Sequence, residues 1–111
     1  MQLEHESRDG IDVVRLPNRL LMADAADART QLKELLLHGN GRLVLDLTQT
    51  EFMDSSACGA LVGSLQTARK KGGDVYLFGM SSNVRALFEL TRLHTVFQIF
   101  DDEAAALRAM H

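Results

Sequence analysis

Phe52-Met53-Asp54-Ser55-Ser56-Ala57-Cys58-Gly59 decides how this chain is to be read. Upstream lies Leu43-Val44-Leu45-Asp46-Leu47, a short apolar block of the kind buried in a parallel sheet. Downstream, apolar residues recur at helical spacing from Ser55 to about Lys71. Asp54, Ser55 and Ser56 therefore sit where a strand's carboxyl end passes through a short loop into a helix N-terminus, the usual place for a site in an open α/β sheet. Asp and Ser suit a helix start because their oxygens accept from unpaired backbone N–H groups. The helix dipole favours negative charge there, so a hydroxyl at this corner is well placed to carry a phosphate.

Outward from that stretch, the remaining elements follow. Residues 2–7 and 11–16 read as strands joined at Asp9-Gly10, a hairpin signal. Pro17 and Asn18 close the second strand. A first helix is expected from Ala23 or Asp24 to Leu37, with Ala25, Ala28, Leu32, Leu35 and Leu36 on one face and Gly39 as a left-handed C-terminal cap. The central helix should bury Cys58, Leu61, Val62, Leu65 and Ala68, with the Arg69 stem extending that face, and stop at Gly72-Gly73. Residues 74–78 form the next strand. Ser81 or Ser82 caps a third helix with Val84, Leu87, Phe88 and Thr91 on a face that Leu90 broadens. Residues 96–100 form a last strand, and Asp101-Asp102-Glu103 starts a final helix ending near Met110. The order β-β-α-β-α-β-α-β-α predicts a mixed, mostly parallel α/β sheet of about five strands with four helices.

A chain of 111 residues is long enough for one domain with a core that needs no metal or disulfide. The net charge of −3 makes no general case for nucleic acid or an anionic membrane. The one basic run, Arg69-Lys70-Lys71, falls where cations complement a helix C-terminus. The lone cysteine, Cys58, reads as a small buried hydrophobe. There is no basic-then-apolar leader pattern and no apolar run of membrane-spanning length, so the cytoplasm is the expected compartment. No cofactor and no metal are expected: His5, His38, His94 and His111 are scattered, and no glycine-rich phosphate loop is present. A catalytic role for Ser55 is disfavoured, because Asp-Ser-Ser-Ala-Cys lacks the Gly-x-Ser-x-Gly elbow and only His94 lies in a loop that could approach as base. Asp46 is expected to hydrogen-bond near its strand end.

Ser56, Gly59, Ala60, Gly63 and Thr67 form a second stripe on the central helix, read as lying opposite the Cys58-Leu61-Leu65 face. Each interior glycine costs about 1 kcal/mol relative to alanine. Either a neighbouring element packs close or an external partner approaches the backbone; the stripe's continuity with the serine corner favours the partner.

The residues Leu45-Asp46-Leu47, Phe52-Met53-Asp54-Ser55-Ser56, Gly59, Gly63, Gly72-Gly73 and Val84 to Leu93 together resemble the STAS domain of bacterial anti-sigma-factor antagonists, from roughly residue 11 onward. The resemblance implies that Ser55 is phosphorylated by a cognate anti-sigma factor, a GHKL-type serine kinase, that the unphosphorylated domain binds this kinase and frees its sigma factor, and that a PP2C-type phosphatase reverses the modification. It also implies a partner surface around Asp54, Ser56, Gly59, Ala60, Gly63 and Thr67, with Met22 standing where the family commonly has an acidic residue. Ala57 replaces a glycine common in the family, adding a methyl at the helix start that a kinase would meet. The alternative implied by the resemblance is a STAS scaffold or adaptor of a signalling or lipid-transport complex, with constitutive binding.

Overall fold

A computed structural model of the chain describes residues 2–110, so His111 lies outside the described residues. The β-hairpin comes first: β1 (Glu4–Arg8) runs antiparallel to β2 (Ile11–Arg15). Asp9 and Gly10 both take positive φ, 54° and 83°, the pair of left-handed residues that a tight two-residue hairpin turn requires. Next come β3 (Arg19–Leu20), α1 (Met22–His38), β4 (Arg42–Asp46), β5 (Phe52–Met53) and α2 (Ser55–Lys70). The chain continues through β6 (Asp74–Phe78), α3 (Ser82–Leu90), a 3₁₀ turn (Leu93–Thr95), β7 (Gln98–Phe100) and α4 (Glu103–Met110).

Five strands form a mixed sheet in the order β1-β2-β4-β6-β7, parallel everywhere except the hairpin. The inner strands are covered on both sides, which is why their sequences read as apolar blocks rather than clean alternations. Val14, Leu43, Leu45, Val75 and Leu77 pack with Ala28, Leu32, Leu61, Leu65 and Phe88 of α1, α2 and α3. Their strand neighbours Val13, Val44 and Phe78 point the other way, against Ala106 and Met110 of α4. A separate parallel ribbon pairs β3 with β5, Arg19 opposite Phe52 and Leu20 opposite Met53. Two-residue strands are too short to leave a periodicity, and neither is among the strands the sequence predicts.

α1 and α2 lie side by side. Lys71, at the end of α2, donates its ammonium to the carbonyls of Leu36 (2.8 Å), Leu37 (3.1 Å) and Gly39 (2.8 Å) at the end of α1. This extends one expectation and corrects another. Arg69 and Lys70 stand in the last turn of α2 as expected, while Lys71 serves the C-terminus of the neighbouring helix. Gly39 is not a left-handed cap, since its φ is −102°: with the last carbonyls of α1 met by Lys71, no reversal of the chain is needed to satisfy them. Glycine is favoured at position 39 by crowding, because a methyl there would sit 2.9 Å from Asp12 Oδ2 and 3.0 Å from the Leu35 carbonyl.

Leu90 does not broaden the buried face of α3 and is 83% exposed. It lies two residues past Phe88, about 200° further round the helix, and the nine-residue α3 buries only a narrow stripe of Val84 and Phe88. Thr91 is exposed beyond the helix, its hydroxyl donating to the Leu87 carbonyl. Arg69 is likewise exposed and pairs with Asp74 at 3.6 Å instead of lining the core.

Candidate functional site

The corner between β5 and α2 is built around one carboxylate. Asp54 is the N-cap of α2, in extended backbone, and its Oδ1 accepts from the Ala57 N–H at 3.0 Å. Its second oxygen accepts from the N–H of Met22 at 2.7 Å. Met22 is the first residue of α1, whose own N-cap, Leu21, has no side chain able to serve. Asp54 thus caps two helices at once and holds their N-termini together.

Because Asp54 takes the cap, Ser55 is left free. It is the first residue of α2, it is exposed, and among the described residues nothing hydrogen-bonds its hydroxyl. Ser55 is therefore not the cap of α2. His94, on the 3₁₀ turn, has its Nδ1 3.3 Å from the Phe88 carbonyl. Ser56 is half-buried beside it.

Two large apolar side chains stand out at this corner. Met22 is 73% exposed and Phe52 is 47% exposed, with the Arg19 guanidinium 5.4 Å above the Phe52 ring. The sequence reading named Met22 but missed Phe52, whose exposure follows from the unforeseen β3–β5 ribbon. The Ala57 methyl, expected to face an approaching kinase, is fully buried. Cys58 is buried too, and its thiol is pushed up from the usual range by that burial first and by the Asp54 charge second, which keeps it protonated and unreactive.

The stripe on α2 is also corrected. Ala60 is completely buried, as are Ala57 and Ala68, and Ser64 is nearly so, so the core face is broad and the stripe runs along its flank. Ala60 belongs to the packing, with its carbonyl accepting from the Ser64 hydroxyl at 3.0 Å. Ser56, Gly59, Gly63 and Thr67 remain half-buried, with the Thr67 hydroxyl donating back to the Gly63 carbonyl. Gly59, Gly63 and Thr67, with Ser64, floor a groove of 440 Å³ between α1 and α2, walled by Arg29 and Lys33.

Internal packing does not demand these glycines. A methyl on Gly59 would meet only Arg29 Nη2, at 3.6 Å, and one on Gly63 only Arg29 Nε, at 3.9 Å, both ordinary contacts with the end of a flexible side chain. Gly63→Ala is therefore expected to raise stability, by up to about 1 kcal/mol, in urea denaturation. A loss of stability instead would mean that the fold itself needs the glycine.

Asp46, 8% exposed, behaves as expected of a strand end: its Oδ1 accepts from the Thr48 N–H (2.8 Å) and hydroxyl (2.6 Å), and Arg15 lies 3.5 Å from Oδ2. Among the described residues no cluster of three metal-ligating side chains exists, and no helix is long and apolar enough to cross a membrane.

The family model of the STAS domain matches residues 2–106. A Paenibacillus polymyxa protein named anti-sigma F factor antagonist is 30% identical over 108 residues, covering 96% of this chain and 92% of that one. Two solved structures share the fold. An anti-sigma-factor antagonist (STAS) domain protein from Planctomyces limnophilus has a TM-score of 0.89 at 19% identity, with 97% of each chain covered. The Bacillus cell fate determinant SpoIIAA, in its phosphorylated form, has a TM-score of 0.74 at 20% identity, covering 97% of this chain and 99% of that one.

Proposed function

The chain belongs to the STAS domain family, and from that premise we propose that it is an anti-sigma-factor antagonist switched by phosphorylation of Ser55. The names of its relatives support the antagonist reading. The observation that carries the switch is the unengaged Ser55 hydroxyl, exposed at the first position of α2 because Asp54 occupies the cap.

In the proposed cycle the unphosphorylated domain binds a GHKL-type serine kinase, the anti-sigma factor, through Ser56, Gly59, Gly63 and Thr67 on α2 and Met22 on α1, with Asp54 holding the corner. The kinase then lets go of its sigma factor. Ser55 Oγ attacks the γ-phosphorus of the ATP held by the kinase, an O–P bond forms, ADP leaves, and the hydroxyl proton passes to a base of the kinase. In this step the kinase is the enzyme and this chain its substrate. A PP2C-type phosphatase hydrolyses the phosphoserine and restores binding. The cytoplasm, where kinase and sigma factor meet, is the proposed site of action.

Physical chemistry sets the sign of the switch. A phosphate adds roughly −1.5 to −2 charges at neutral pH beside the Asp54 carboxylate. Covering that charge with a partner's apolar surface is costly unless the partner supplies cations. In the free domain the phosphate stays in water at a helix N-terminus, whose N–H groups favour it.

The test is to incubate the protein with the anti-sigma kinase of its own genome and Mg-ATP, then map the product by mass spectrometry. One phosphate on Ser55, absent from Ser55→Ala, is expected. Full modification of Ser55→Ala, or phosphate on another residue alone, would overturn the proposal.

A further inference from the structure

Arg29 is an exposed cation on α1. Its guanidinium lies over Gly59 and Gly63 on α2, and among the described residues it makes no ion pair and no hydrogen bond. Gly59 is one helical turn beyond Ser55. Side chains four apart on a helix have Cβ atoms about 6 Å apart, so Arg29 Nη2, 3.6 Å from the Cβ position of Gly59, starts within about 10 Å of Ser55 Cβ. A phosphoryl group lengthens the serine side chain by two bonds, and rotation about the arginine torsions spans what is left.

The direction of the helices helps. α1 and α2 share Asp54 at their N-termini, and Lys71 joins the end of α2 to the end of α1, so both helices run the same way from the corner. Helical side chains tilt toward the N-terminus, which carries Arg29 back toward Ser55. Between them lie Ser56 and Gly59, which put no long side chain in the way. The Asp54 oxygens already accept from the N–H groups of Ala57 and Met22, and a phosphate at Ser55, with roughly −1.5 to −2 charges, draws the guanidinium more strongly than that single carboxylate charge. The other charged side chains of the elements meeting here are Arg19 on β3, engaged with the Phe52 ring, Glu51 ahead of β5, Asp24, Asp27, Lys33 and Glu34 on α1, and Arg69 and Lys70 at the far end of α2.

We propose that Arg29 is the intramolecular receptor for the phosphate on Ser55, swinging from the α1–α2 groove to clamp the phosphoryl oxygens. The planar guanidinium binds phosphate through two N–H groups at once. The contact offsets the repulsion between the phosphate and Asp54, stabilises the phosphorylated domain from within, and withdraws a cation from the face on which the partner lies. This inference rests on the phosphorylation of Ser55 proposed above and adds its internal counterion.

The test places phosphoserine at position 55 by genetic encoding, so that no kinase is involved, and follows its second ionisation by ³¹P NMR. Arg29→Gln, Arg29→Lys and Lys33→Gln are titrated beside the parent phosphoprotein, each checked for unaltered thermal unfolding. A nearby cation favours the dianion, so the parent phosphate should titrate about 0.5 unit lower than in Arg29→Gln. Arg29→Lys should fall between the two, Lys33→Gln should match the parent, and high salt should narrow the gap. The same midpoint in parent and Arg29→Gln, or an equal shift from Lys33→Gln, would overturn the proposal. Because the phosphate is installed directly, such a failure leaves the kinase reaction untouched, and a kinase that ignored Ser55 would leave this titration unchanged.

Discussion

Asp54→Ala should destabilise the protein by about 2–3 kcal/mol, more than loss of an ordinary helix cap. An N-cap aspartate replaced by alanine typically costs about 1 kcal/mol. Here a second backbone donor, the Met22 N–H at 2.7 Å, loses a charged acceptor as well, worth about 1.5 kcal/mol. For a chain of this size the melting temperature should fall by roughly 10 °C or more. Asp54→Asn should recover about half of the loss, because an amide offers one acceptor oxygen where the carboxylate offers two. Thermal and urea unfolding of the three proteins checks this. An Asp54→Ala protein that melts with the parent would show that the two helix starts are held together by something else.

Ser55→Asp should have the opposite effect on stability and a large one on binding. A carboxylate in the first turn of α2 interacts favourably with the helix dipole, by about 0.3–1 kcal/mol, so the variant should be at least as stable as the parent. Its affinity for the kinase should nevertheless fall about 100-fold, or nearly 3 kcal/mol, as an unpaired charge is carried into the interface. Ser55→Ala, which loses only an exposed and unengaged hydroxyl, should bind within a few-fold of the parent. Isothermal titration with the purified kinase gives the affinities. Stability rising while affinity falls separates a switched surface from a damaged fold; a Ser55→Asp protein that bound like the parent would remove the electrostatic basis of the switch.

The sheet and its helices were legible because each carries a local signal. The apolar run 43–47, the Asp9-Gly10 turn, the Ser81 cap and the spacing of Ala28, Leu32 and Leu36 are all patterns within one element. The corner was legible for the same reason, since an aspartate and two serines stand between a strand and a helix. What escaped depends on how elements meet. That the Asp54 carboxylate also caps α1, that Lys71 serves the helix next to its own, and that Arg29 overlies the glycines of α2 are contacts between residues some 30 positions apart. The width of the buried face of α2, which swallowed Ala60, depends on the strands beneath and on α1 beside it. The β3–β5 ribbon, which brings Phe52 to the surface, is too short to leave a period in the sequence.

The switch is tested most directly on a single preparation of the unaltered protein, titrated into its anti-sigma kinase before and after Ser55 has been phosphorylated to completion. We expect tight binding before and binding weaker by about 100-fold or more after, restored when a phosphatase removes the group. Equal affinity before and after, with the phosphate verified on Ser55, would contradict the account.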